Sequence, residues 1–189
     1  MATKRVLAFF IAAALAVIAA FGVSVLEPQE AEATLVSVST CDGGTITLNA
    51  EEKRVLELHN KARKKRGLKR LCVNPILTQA ARAHTREMLN KDYLSHNSFN
   101  GETAAKRLER FGYTSDGYTY YATGENIACG CGSYGAPDNI FKWWMHSTGH
   151  RSNILKKRFR EVGISVLTGT FKSCSQATMY TVDFGTRRR

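Results

Sequence analysis

Trp143-Trp144-Met145-His146-Ser147-Thr148-Gly149-His150-Arg151-Ser152-Asn153-Ile154-Leu155 is the stretch on which the reading of this chain turns. It packs indoles, imidazoles, hydroxyls and a glycine into one short run. Indoles supply apolar area, while imidazoles and hydroxyls supply polar chemistry beside it. That mixture suits the wall of a cleft better than a core helix. Ile140, Phe141, Trp144 and Met145 form an apolar helical stripe, Gly149 is expected to interrupt it, and a short turn then carries His150 to Leu155.

Two other stretches look like its complements, Ser95-His96-Asn97 and Gly124-Glu125-Asn126-Ile127. His96 stands at an element end between Ser and Asn, not on an apolar face. Glu125 is bracketed by residues suited to burial, where a carboxylate needs a partner. The expectation is that His96, Glu125 and His150 meet around one solvent-reachable pocket, with Ser147 in its wall. His59, His84 and His146 are expected to lie outside it; His59 and His84 read as hydrogen-bonded core histidines.

Working outward, Asn49 caps a first helix with Glu51 and Glu52 in its first turn, and Gly67 ends it. Its inward face is Val55, Leu58, His59 and Ala62. Asn74-Pro75 opens a second helix with Leu77, Ala81, His84 and Met88 inward. Thr103 to Phe111 reads as a short third helix with Ala104, Leu108 and Phe111 inward. Tyr113 to Tyr121 reads as a loop or sheet edge, and Glu125 as lying at a strand start. Val162–Leu167 and Ala177–Phe184 alternate at period two, as antiparallel strands joined by a turn containing Gly169 and Cys174. Arg187-Arg188-Arg189 is expected to fray.

The N-terminus reads as an export signal: Lys4 and Arg5, the uncharged apolar run Val6 to Leu26, then Ala31-Glu32-Ala33 with cleavage before Thr34. The same run is long enough to span a bilayer, so the alternative is an uncleaved anchor. The division is therefore residues 1–33 as signal peptide, 34–50 as a tail held by Cys41, and 51–186 as one domain. The whole chain carries a net charge of +11. Two cations and three anions leave with the signal, so the remainder carries +12 and suits polyanionic partners. Lys61 to Arg70 holds seven cations and no anion. With no aromatic interleaving to stack bases, the expected contact is an anionic cell-surface polymer, not nucleic acid. An exported chain favours disulfides. Cys41 and Cys72 flank the first helix and are expected to pair. Cys174 is expected to pair with Cys129 or Cys131, and the residues do not choose between them. Cys129-Gly130-Cys131 has no second cysteine pair, so a zinc–cysteine site is not expected.

Early and late helices, late strands and cysteine staples imply an α+β fold, a small antiparallel sheet between helices. The motifs carry a resemblance. His59-Asn60-x-x-Arg63, Ser95-His96-Asn97, Gly124-Glu125-Asn126-Ile127-Ala128, Trp144-Met145-x-Ser147-x-Gly149-His150-Arg151-x-Asn153-Ile154-Leu155, Val162-Gly163 and Tyr180-x-x-Asp183-Phe184-Gly185 occur in order. This set resembles the CAP superfamily of cysteine-rich secretory proteins, antigen 5 and pathogenesis-related 1 proteins, in its exported bacterial branch. The resemblance implies an α-β-α sandwich whose cavity holds two histidines and two glutamates, binding a divalent cation in several members. Carried over, the histidines match His96 and His150 and one glutamate matches Glu125. The second glutamate position is occupied by Ser147, which removes a negative ligand.

Two functions follow as expectations. The first is a secreted, monomeric binding module whose cleft, lined by His96, Glu125, Ser147 and His150, takes a lipid, glycan or peptide of the extracellular envelope. The alternative is a metal-assisted hydrolase or peptidase with a divalent cation, zinc, on His96, Glu125 and His150. A serine–histidine–carboxylate set is disfavoured, because no oxyanion-hole motif or nucleophile elbow is legible.

Overall fold

The computed structural model describes residues 34–189. The expected signal peptide or anchor over 1–33 lies outside the described residues. Among the described residues, no helix is long and apolar enough to cross a membrane.

The segment read as a tail is a hairpin. β1 (Val36–Ser39) pairs antiparallel with β2 (Thr45–Leu48). Its β-branched residues alternate, and Gly43 takes the positive φ of 87° that the turn requires. Asn49 then caps α1 (Ala50–Lys64) through a capping box: its side chain accepts from Glu52 N at 2.7 Å, and Asn49 N donates to Glu52 Oε2 at 3.0 Å. Asn74 caps α2 (Pro75–Asn90), which follows the two-residue strand β3 (Cys72–Val73). α3 is Ala104–Arg110.

β4 (Tyr120–Cys131), β5 (Glu161–Phe171) and β6 (Cys174–Arg188) form the sheet with β3, in the order β3-β5-β6-β4. All pairs are antiparallel except β3 with β5, which is parallel. The strands run longer than their alternating cores suggest. β4 begins at Tyr120, so Glu125 lies inside the strand, opposite Asp183. Gly169 and Cys174 belong to the strands, and Lys172 and Ser173 make the turn. Arg187 and Arg188 do not fray. They pair with Tyr121 and Tyr120, and the Arg188 guanidinium lies 4.7 Å from the Tyr120 ring.

Pleating sends alternate β6 residues to opposite layers. Tyr180, Val182 and Phe184 join Val162, Ile164 and Val166 of β5 under α1, α4 (Pro137–His146) and α5 (Thr148–Leu155). On the other face Met179 packs with Met88 of α2, and Thr181 accepts a hydrogen bond from Thr85 at 2.9 Å. The result is the expected α-β-α sandwich.

Disulfides join Cys41 to Cys72 and Cys131 to Cys174, leaving Cys129 free. The register decides the second pair, which the cysteine spacing left open. Each closes a loop of some tens of residues and is worth about 4 kcal/mol by chain entropy. Non-reducing peptide mapping is expected to recover both links. Cys129 should alkylate slowly in the native state, because burial pushes its thiol pKa up. A peptide linking Cys129 to Cys174 would contradict the register.

Candidate functional site

The break between α4 and α5 falls at Ser147, not Gly149. Ser147 is extended (φ −89°, ψ 125°), while Gly149 lies inside α5. A single extended residue separates the two helices there, and His150 follows in the first turn of α5. Three amide contacts hold α5 against β4. Asn126 Nδ2 donates to His150 O at 3.1 Å. Asn153 Nδ2 lies 3.0 Å from both Glu125 O and Asn126 Oδ1. Trp144 Nε1 donates to Ile127 O at 3.2 Å, fixing α4 on the same strand.

His96 arrives from the loop after α2. His84 Nε2 lies 2.8 Å from Ser95 O and steadies that loop from below. His96 Nδ1 lies 2.7 Å from Glu125 Oε1. The structure thus brings His96, Glu125, Ser147 and His150 to one open cleft of about 480 Å³, shared with Asn126, Gly149, Ser152 and Asn153. His59 and His146 lie elsewhere. His59 is a core residue whose Nδ1 meets Val55 O at 2.8 Å, and burial pushes its pKa down to about 4. His84 lies beneath the cleft, not in it.

Sequence reasoning missed the group that governs Glu125. Arg107 of α3 is buried, and its Nη2 donates to Glu125 Oε2. Its Nη1 reaches Ser98 Oγ at 2.9 Å and His96 O at 3.2 Å. One guanidinium therefore ties the His96 loop to the carboxylate. Arg107 stands three residues after Ala104 and four before Phe111, on the helix face predicted to point inward; that spacing was the available signal. Below Glu125, Asp183 is fully buried and neither carboxyl oxygen has a hydrogen-bonding partner.

The electrostatics follow from these contacts. Burial raises Glu125, but the His96 hydrogen bond and the Arg107 charge outweigh it, so the carboxyl sits below its ordinary value. The same hydrogen bond holds His96 above its ordinary value despite desolvation. His150 is lowered, first by burial and then by the nearby His96, and its Nδ1 lies 2.8 Å from Ser147 Oγ. Asp183 is raised well above the ordinary carboxylate range by burial and by Glu125, so of the two carboxyls it takes up a proton first as pH falls.

Glu125 does not fit the expected role of a cation ligand, while the Nδ1 contacts of His96 and His150 leave each ring its Nε2. One Glu125 oxygen is engaged by His96 and the other by Arg107, and His150 Nδ1 faces Ser147. Among the described residues, no three His, Cys, Asp or Glu side chains are gathered to hold a metal. Arg107 supplies the Glu125 carboxylate with a positive charge from within the protein.

A family model described as the cysteine-rich secretory protein family, CAP, matches residues 56–184. This chain belongs to the CAP family. It is 36% identical over 136 residues to the uncharacterized protein YkwD of Bacillus subtilis, a match covering 72% of this chain and 50% of YkwD. It is 30% identical over 115 residues to the uncharacterized membrane protein YlbC of the same organism, covering 61% of this chain and 31% of YlbC. The chain thus spans half or less of these relatives. Among solved structures, the CAP fold is shared with an outer surface protein of Borrelia burgdorferi (TM-score 0.61, 18% identity, 82% of this chain and 100% of that one). It is shared also with an extracellular SCP-domain protein of Bacillus anthracis (TM-score 0.55, 22% identity, 78% and 47%).

Proposed function

We propose that this CAP domain is an extracellular binding module whose cleft takes a polar strand of the cell envelope, a glycan or a peptide. The observation that carries the reading is the cleft lining, which is wholly polar side chains and glycine. Such a wall offers hydrogen-bond donors and acceptors along its length to a hydrated strand. The extracellular setting is supported by the export-type leader and by the printed descriptions of the Borrelia and Bacillus anthracis proteins as outer-surface and extracellular.

A lipid ligand finds better support elsewhere, in a groove of about 490 Å³ between α1 and α4. Leu58, Ala62, Phe141 and Met145 line it, with Lys61, Lys65 and Arg66 beside them. The metal-assisted hydrolase alternative uses Glu125 as a ligand, and its carboxylate is already engaged by His96 and Arg107.

The test is calorimetric titration of the full chain with soluble peptidoglycan fragments, with and without chelator. Binding is expected to be unaffected by chelator. It should weaken about tenfold, some 1.4 kcal/mol, in His96→Ala and in His150→Ala. Unchanged binding in both variants would sink the cleft reading. One zinc per chain, with peptide turnover lost in His150→Ala, would replace it with the hydrolase.

A further inference from the structure

The excess positive charge is concentrated at one end of the domain, where the fold joins segments far apart in sequence. Arg63 does the joining. It is fully buried, unlike the other six cations of 61–70, which are exposed. Its guanidinium is held by carbonyls instead of a carboxylate. Nε donates to Lys69 O at 2.8 Å, Nη1 to Ile154 O at 2.9 Å and Lys156 O at 3.1 Å, and Nη2 to Phe159 O at 2.9 Å. The loop after α1 and the 156–160 turn after α5 are thereby clamped onto one buried group. The latter reads Lys156-Lys157-Arg158-Phe159-Arg160. Arg160 O accepts from Cys72 N at 2.9 Å and Arg160 N donates to Gly185 O at 3.0 Å, and Arg158 Nη1 donates to the hydroxyl of Tyr120 at 3.0 Å, the ring that carries the Arg188 guanidinium, which brings Arg188 to the same end.

We propose that this composite basic end, running across 64–70 and 156–160, binds a flexible polyanion of repeating phosphate groups. Neither segment contains an acidic residue. Among the described residues, no ion pair within 4.0 Å uses a cation of 61–70 or 156–160. Like charges held this close repel one another, and a polyanion relieves that repulsion. The backbone beneath is fixed by Arg63, by buried Phe159 and by the Cys41–Cys72 bridge, so binding orders little new chain.

Two features select this class of partner. The exposed large apolar residues, Leu35, Leu94, Phe99, Tyr134 and Trp143, all lie outside these segments, so neither segment projects an apolar side chain to wedge into a bilayer. The neighbouring rings of Tyr118 and Tyr120 are already covered by arginines, at 4.8 Å for Arg187 on Tyr118 and 4.7 Å for Arg188 on Tyr120. Bases would find no free stacking platform. The surface is independent of whatever occupies the cleft.

The experiment is fluorescence anisotropy of the full chain with end-labelled inorganic polyphosphate across a salt series. Neutralising about six phosphates on a flexible strand predicts a loss of affinity of about 10²–10³-fold between roughly 50 and 200 mM salt. The exposed pairs Lys65→Glu/Arg66→Glu and Lys157→Glu/Arg158→Glu should each weaken binding about tenfold or more and flatten the salt slope, with melting temperature unchanged. If either pair leaves polyphosphate binding intact, the surface is not continuous and the proposal fails. It fails equally if single-stranded DNA, or vesicles of mixed phosphatidylcholine and phosphatidylserine, bind more tightly than polyphosphate.

Discussion

Replacing Arg107 with alanine is expected to lower the stability of the CAP domain by about 3–5 kcal/mol, because it leaves the Glu125 carboxylate buried without its counter-charge. Glu125 and Arg107 side chains are 3% and 1% exposed, so solvent cannot take over the pairing. The loss should exceed that of His96→Ala, since the His96 side chain is 55% exposed and its bond to Glu125 is open to water and salt. Removing both charges together, as Arg107→Met with Glu125→Gln, should recover at least about 2 kcal/mol of the loss. Urea unfolding of the parent, Arg107→Met, Glu125→Gln and the double variant closes the cycle. A cost below about 1 kcal/mol for Arg107→Ala would mean that Glu125 is not held as an ion pair.

The pH dependence carries the same argument with a definite sign. Glu125 sits below its ordinary value of 4.5 in the folded chain. Its contribution is therefore present above that value and is lost as pH falls through the folded pKa. Asp183 opposes it. Raised above its ordinary 3.8 by burial and by Glu125, it contributes fully only below 3.8 and its contribution is lost as pH rises through its folded value. In Arg107→Ala the Glu125 carboxyl loses the charge that keeps it low, so the fall in stability on the acid side should flatten.

Much of the fold was legible because it rests on local rules. Asn49 with Glu52, and Asn74 before Pro75, announce helix starts by satisfying free backbone N–H groups, and the alternation of β5 and β6 announces strands, which the structure buries on both faces. The features that were not legible depend on partners distant in sequence. The length of β4 is set by β6 running on to Arg188, and Arg188 is held in place by Tyr120. The helix break at Ser147 has no breaker residue; it exists because Asn126 and Asn153 fasten α5 to β4. At the site, His96, Glu125 and His150 stood out as polar groups at unusual places. Arg107 did not, because a charged residue in a short charged helix looks solvated until its position on the inward face is counted. Arg63 hid in the same way within the basic run.

Gly163→Ala is expected to cost about 3 kcal/mol or more, although it adds one methyl group. Gly163 is buried in β5, and a Cβ there would overlap the Leu77–Thr78 peptide of α2. That obstacle is backbone at the first turn of a helix, pinned by Asn74, whose Oδ1 accepts from Ile76 N at 2.9 Å and Leu77 N at 3.2 Å. Nothing flexible can yield, so α2 must lift from the sheet. The layer below the cleft, with His84 under the His96 loop, would lift with it. Gly163 has no positive φ, so the cost is packing and not backbone strain. Gly149→Ala provides the contrast. Its added methyl meets nothing within 4 Å, and the residue lies inside α5. There alanine should stabilise by about 0.5–1 kcal/mol through helix propensity. Thermal melts should separate the two variants by roughly 7–16 °C, at about 2–4 °C per kcal/mol for a domain of this size. If Gly163→Ala melts with the parent protein, α2 does not rest on β5 as closely as described. If Gly149→Ala is destabilised instead, the chain needs a glycine there for a break, and the extended residue at Ser147 is not what separates α4 from α5.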